Sequence, residues 1–349
     1  MFLRYPNKKD DACKIEQSLL LNSGNSELLY RTGNGDSSGA WTWSCWIKPS
    51  VNNKNNSLFG KNWSAANNYG HCTIQPDGTL YLYEDVNGPN AFEFKSKFKL
   101  RDPSAWTHFV IKKIGNAQSD FYVNGTLVES YTPYNRATSK MFDNAHTVGA
   151  RRYAGAYSYE YDGYLSDVHL IYGQALGPEH FALTDENGVY NPIPYTGTYG
   201  KNGFYLPFEA SDIGADHSGN GNDFATVRLK SDSVVADTPC NNYCTFNPLD
   251  PEFSGKLTNG NLTKPYVAGH MGGSTFDGFV RHKYGIPDGL GDGWYFEENG
   301  VGNTTSDPAY LGAAAGTFNF GQKSWNRAGG PFEGTVGICT KNFRHARGR

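Results

Sequence analysis

The chain has little sulfur: six cysteines and three methionines in 349 residues. Cys13, Cys45, Cys72, Cys240, Cys244 and Cys339 are too sparse for a disulfide scaffold, and most are expected to be reduced. Cys240-x-x-x-Cys244 without a second pair nearby is poor zinc spacing. Charge is scarce as well. Charged residues make up 19%, which excludes a disordered polyelectrolyte, and a net charge of −3 argues against nucleic-acid binding, which needs a concentrated basic surface. No apolar run approaches the roughly 18–20 residues of a spanning helix, so no membrane insertion is expected. The opening MFLRYPNKKDDACK lacks an apolar h-region and a cleavage site, so no signal peptide is expected either. Heptads and β-helical repeats are missing, which excludes an extended fibre shaft made by this chain alone. So are a G-x-S-x-G elbow, an H-E-x-x-H zinc pair and a P-loop.

What the chain has is aromatics and turn formers: 15% aromatic residues, with 23 Tyr and 21 Phe, beside 42 Gly and 17 Pro. With few segments of helical period, this favours an all-β architecture. Leu19–Leu21 and Leu28–Tyr30 read as short strands, and Trp41, Trp43, Cys45 and Ile47 share one strand face by the period of two. Pro76-Asp77-Gly78 is a turn between two strands, and Asn124-Gly125 a type I′ hairpin turn. Phe92, Phe94 and Phe98 alternate with Glu93, Lys95, Lys97 and Lys99, which predicts one buried and one wet face. In the run from Tyr164 to Ile171, strict alternation sets Tyr164, Ser166, Val168 and Leu170 against Leu165, Asp167, His169 and Ile171. Both faces are partly apolar, as suits packing on both sides.

The words Trp106-Thr107-His108-Phe109, Tyr122-Val123-Asn124-Gly125, Val148-Gly149 and Asp162–Leu176 resemble, in that order, the concanavalin A-like, laminin-G-like jelly roll. The resemblance implies an antiparallel jelly-roll sandwich over residues 18–210, preceded by an N-terminal arm (1–17). Pro178-Glu179-His180-Phe181 would be the single helical turn after the last jelly-roll strand, and Gly203–Phe208 a returning strand. From 203 to 263 the words G-F-Y-L-P-F, S-G-N-G-N-D, D-T-P-x-N-N-Y and N-P-L-D resemble a joint in virion proteins of marine tailed phages, between such a domain and one similar to SPRY. A packed linker (211–255) with Phe224, Tyr243 and Phe246 as anchors would lead to a second, smaller β domain, a reduced SPRY-like region at 256–349. Thr317–Gln322 and Gly337–Asn342 resemble that family's closing strands.

This resemblance implies a non-enzymatic virion structural protein on the particle exterior (a knob, tip or surface appendage), partnered by other virion proteins and by copies of itself as a homo-oligomer, and mediating assembly and host attachment. A glycan-binding receptor is the alternative reading, and a polysaccharide-degrading enzyme the third. Glucan-cleaving jelly rolls aim E-x-D-x-x-E carboxylates into a cleft from one strand; Glu160-Tyr161-Asp162 is the nearest match and lacks the third carboxylate. Flat rings stack on sugars while neighbouring polar groups orient hydroxyls. Arg152, Tyr153, Tyr157 and Tyr159, in a tract read as a loop, and Trp63, Asn67 and Tyr69 are therefore the candidates for contact with host-surface polysaccharide, against the alternative that the rings pack locally or at an interface. No cofactor is expected beyond calcium, for which Asp143, Asp162 and Asp216 are weak oxygen donors, with Asx turns as the alternative.

Overall fold

The computed structural model describes residues 15–33, 39–50, 53–61, 69–85, 92–103, 105–115, 118–132, 141–143, 145–153, 155–248, 257–263, 310–314 and 335–339. In chain order the strands are β1 (Ser18–Leu21), β2 (Leu28–Arg31), β3 (Trp41–Pro49), β4 (Asn56–Lys61), β5 (Gly70–Ile74), β6 (Thr79–Glu84) and β7 (Phe92–Lys99). There follow β8 (Thr107–Ile114), β9 (Gln118–Val123), β10 (Thr126–Tyr131), β11 (His146–Val148), β12 (Arg151–Tyr153), β13 (Ala156–Ser158) and β14 (Gly163–Tyr172). Then come β15 (Ala182–Thr184), β16 (Tyr190–Pro192), β17 (Phe204–Leu206), β18 (Ala225–Val227), β19 (Val234–Val235), β20 (Tyr310–Ala314) and β21 (Thr335–Cys339).

One sheet runs β10-β9-β8-β3-β14-β1-β19, with β17 also on β14, and the other runs β18-β2-β11-β4-β5-β6-β7. All pairings are antiparallel. The expected turns form: Asn124 and Gly125 both hold φ > 0, and Gly78 closes the β5–β6 turn at φ 83°. Pro178–His180 is a single 3-10 turn.

The core lies between the sheets. Trp41, Trp43, Cys45 and Ile47 of β3 face Leu58, Phe59, Cys72, Leu82 and Phe94 of the opposite sheet. Each such side chain contributes roughly 1.5–3 kcal/mol by leaving water. Phe94 stacks on Phe121 with centroids 3.7 Å apart, closing the sandwich at its β7–β10 side. At the other side β18 adds to one sheet and β19 to the other. The stretch after residue 210 thus supplies edge strands to both layers.

The eight-stranded sheet is covered on its outer face too. Trp46, Trp106, Tyr164 and Ala182 form one small cluster there, and Val110, Ile171, Phe181 and Tyr199 another. Strict alternation along β14 does not hold. The register against β3 shifts between Ser166 and His169, and Asp167 takes φ 51°. This bulge, one extra residue in the ladder, puts Leu165, Val168 and Leu170 together in the core. It falls where β14 changes partner from β1 (at residues 163–165) to β17 (at 168–170).

The chain forms two compact units, one holding residues 6–242 with 258–263, the other the remainder. In the second, the described strands are β20 and β21, an antiparallel pair from Tyr310↔Cys339 to Ala314↔Thr335. Residues 1–14 of the expected arm and Thr317–Gln322 lie outside the described residues. Cys45, Cys72 and Cys244 are buried free thiols, whereas Cys240 is disulfide-bonded.

Candidate functional site

On β5 and β6 the period of two sends Cys72, Leu80 and Leu82 into the core and His71, Tyr81 and Tyr83 to the opposite face. Arg151–Ser158, expected as a loop, is the β-hairpin β12–β13 and packs closely on β4. A Cβ at Gly60 would lie 2.7 Å from the Arg151 Cα, so only glycine lets the two backbones approach this far. Ser57 N donates to Tyr159 O at 2.8 Å, fixing where the hairpin ends.

The hairpin and the strands build one aromatic face. Tyr69 lies 5.0 Å from both Tyr83 and Tyr153 and stacks on His71 at 6.3 Å, centroid to centroid. His71 in turn lies 5.6 Å from Tyr81 and 5.9 Å from Tyr159. The Arg151 guanidinium sits 3.8 Å from the Tyr159 ring centre and 5.6 Å from that of Tyr153. Tyr81 donates its hydroxyl hydrogen to Glu93 Oε1 at 3.2 Å. His71 forms the floor at 3% exposure, and Tyr153 the rim at 39%.

Electrostatically this is a neutral aromatic surface with a guanidinium set in it. Burial, reinforced by Arg151, holds the His71 imidazole down to about 3. Burial raises both tyrosines, helped at Tyr81 by the Glu93 charge and at Tyr83 by its hydrogen bond with Tyr69.

Of the residues singled out from sequence, Tyr69, Tyr153 and Tyr159 come together here from separate tracts. Tyr157 pairs instead with Arg152, whose guanidinium lies 5.3 Å from its ring across the hairpin and whose Nε donates to Gly155 O. Trp63 and Asn67 lie outside the described residues. Sequence reasoning missed His71, Tyr81, Tyr83, Glu93 and Arg151. The signal was there, as aromatic residues alternating on both sides of the Pro76-Asp77-Gly78 turn.

The carboxylates proposed for calcium stand in three separate networks. Asp216 accepts from Tyr205 N, Ser218 N, Ser218 Oγ and Asn222 N at 2.7–2.9 Å, which makes it the organiser of its loop. Asp162 accepts from Ser23 Oγ at 2.6 Å and lies 3.8 Å from Lys54 Nζ, and Asp143 accepts from Tyr172. Among the described residues no three His, Cys, Asp or Glu side chains gather as a metal site. Ser44 Oγ lies 2.8 Å from His108 Nε2, a nucleophile–base spacing, but both residues are 1% exposed and His108 Nδ1 is tied to the Tyr190 hydroxyl. His169 and Asp167, 3.2 Å apart, are likewise buried under the outer-face cluster. A cavity of about 690 Å³, lined by Asn22, Asn25, Glu27, Arg228, Lys230 and Asp232 among others, contains none of the sequence-predicted residues.

Residues 22–182 match the family model of the concanavalin A-like lectin/glucanases superfamily, and the antiparallel sandwich has that fold. No curated protein matches the chain. Among solved structures it is similar to the native heptameric SAP-like pentraxin of Limulus polyphemus (17% identity, 47% of this chain and 80% of that one, TM-score 0.36). It is also similar to the CBM40 of Ruminococcus gnavus IT-sialidase bound to α2,3 sialyllactose (14%, 47% and 95%, 0.36). A third is domain 4 of an extracellular arabinanase of Geobacillus stearothermophilus in complex with arabinotriose (20%, 43% and 68%, 0.35). Each likeness is one of fold alone.

Proposed function

We propose that this chain is a non-enzymatic surface protein of a tailed-phage particle whose jelly roll contacts host polysaccharide through Tyr69, Tyr81, Tyr83, Tyr153 and Tyr159. The observation that carries the contact is the convergence of these rings, with Arg151 and Glu93, on one partly exposed face. Rings of this kind stack on the apolar faces of sugars, and the flanking charged groups orient hydroxyls. Tyr153 leaves the rim of the face open to a ligand. The particle setting and the homo-oligomer rest on the resemblance of residues 203–263 to the joint in phage virion proteins. Binding rather than turnover is supported by the engagement of Asp162 with Ser23 and Lys54, which takes it out of a paired-carboxylate cleft.

Host adsorption and pull-down on extracted host polysaccharide test the contact. The double variant Tyr69→Ala, Tyr153→Ala should lose about tenfold or more in both, at two aromatic contacts of roughly 0.5–1.5 kcal/mol each, with an unchanged circular dichroism spectrum. Undiminished adsorption would reject the face. A map of the intact particle locates the chain. Release of reducing sugar that disappears in Glu160→Gln would replace binding with hydrolysis.

A further inference from the structure

Arg151 is the member of this face that local packing does not account for. Its Nε donates to Ser158 Oγ at 3.1 Å, and cation–π attraction holds the guanidinium against Tyr159. Among the described residues no carboxylate pairs with it, and its two Nη groups donate to no protein acceptor. Those two groups form the fork that matches a planar or tetrahedral oxyanion. The surroundings do not cancel the charge. The neighbouring rings are neutral, and Lys95, exposed and opposite Tyr81 on β7, offsets the negative charge that Glu93 keeps while accepting from Tyr81.

We infer that this face takes an anionic saccharide, with a sugar ring on the tyrosines and the carboxylate or sulfate ester of a ring substituent on the Arg151 fork. The inference rests on the saccharide-contact reading above and names its ligand class. A neutral glycan would offer the fork only hydroxyl oxygens. An oxyanion gains a charge-assisted, bidentate contact beside low-polarity rings, where such bonds weigh more than in bulk water.

Calorimetric titration of the full chain tests it with uronate tetrasaccharides from pectin and alginate, a κ-carrageenan tetrasaccharide, and the carboxyl-reduced or desulfated counterpart of each. At least one anionic probe should bind about tenfold more tightly than its neutral counterpart, and added salt should narrow the gap. Uronate preference alone identifies a carboxylate; preference for carrageenan identifies a sulfate ester. Arg151→Gln should erase the preference, weakening the anionic probes far more than their neutral counterparts. Arg151→Lys, which keeps the charge without the fork, should retain part of it, and this holds the test open if the Gln variant folds poorly. Equal affinity for anionic and neutral probes, a preference that survives Arg151→Gln, or binding of none of the probes would overturn the inference. The saccharide-contact reading stands or falls separately, on whether the Tyr69→Ala, Tyr153→Ala protein still adsorbs to host polysaccharide.

Discussion

Lowering the pH from 7 to 5 should destabilise the jelly roll through two histidines that folding keeps neutral. His71 and His108 are 3% and 1% exposed, and burial holds both imidazoles down to about 3. Arg151 adds to the effect at His71; at His108 the charge of Asp167 opposes it and that of His169 adds to it. An imidazole in the unfolded chain titrates near 6.5. Below that pH the unfolded state takes up a proton that the folded state refuses. The contribution is therefore complete above about 6.5 and is lost as the pH falls toward about 3. Integrated from pH 7 to 5, each histidine withdraws about 2 kcal/mol, about 4 together. That is a large share of the roughly 5–15 kcal/mol that holds a typical domain folded. Urea unfolding followed by tryptophan fluorescence at pH 7, 6 and 5 measures the slope. His108→Gln stays neutral and should remove about half of it. Histidine-selective NMR gives the direct check, because neither imidazole should titrate near pH 6. A normal titration of both rings, or a stability flat between pH 7 and 5, would refute the reasoning.

Asp237 accepts from Lys48 Nζ at 2.6 Å and from Trp106 Nε1 at 2.9 Å on the outer face of the eight-stranded sheet, and Lys48 is 1% exposed. Asp237→Ala strips a buried ammonium of its carboxylate and should cost about 3–5 kcal/mol, read as a fall in the urea midpoint; a change under about 1 kcal/mol would mean the pair is solvated. Asp216 already holds four protein donors. A chelator should therefore leave the melting temperature unchanged, while Asp216→Ala should lower stability by about 2 kcal/mol or more. A chelator-induced drop would reinstate calcium.

Turns and strand faces were legible wherever local chemistry leaves one solution. Asn124-Gly125 is a hairpin because both positions take φ > 0, and the Phe92–Lys99 run shows Glu93, Lys95, Lys97 and Lys99 exposed, as alternation demands. The jelly-roll words were legible because they are strands and turns of one layer order. The candidate site was legible only in part. Tyr69, Tyr153 and Tyr159 stood out as members of aromatic tracts, but Tyr81 and Tyr83 read as ordinary strand residues, and Arg152 drew attention where Arg151 is the one against the rings. A single position decides that difference: neighbouring residues of β12 point to opposite sides, and the hairpin's approach over Gly60 selects which side meets the sheet.

Composition and period thus determined that this chain folds as layered antiparallel strands with aromatic cores, since burying alternate faces is a local demand made residue by residue. Tertiary structure alone decided where β14 slips its register, which strands close the sandwich, and which tyrosines share a face. Those outcomes depend on partners far apart in sequence, and on a bulge at Asp167 whose benefit exists only once β1 and β17 both lie against the same strand.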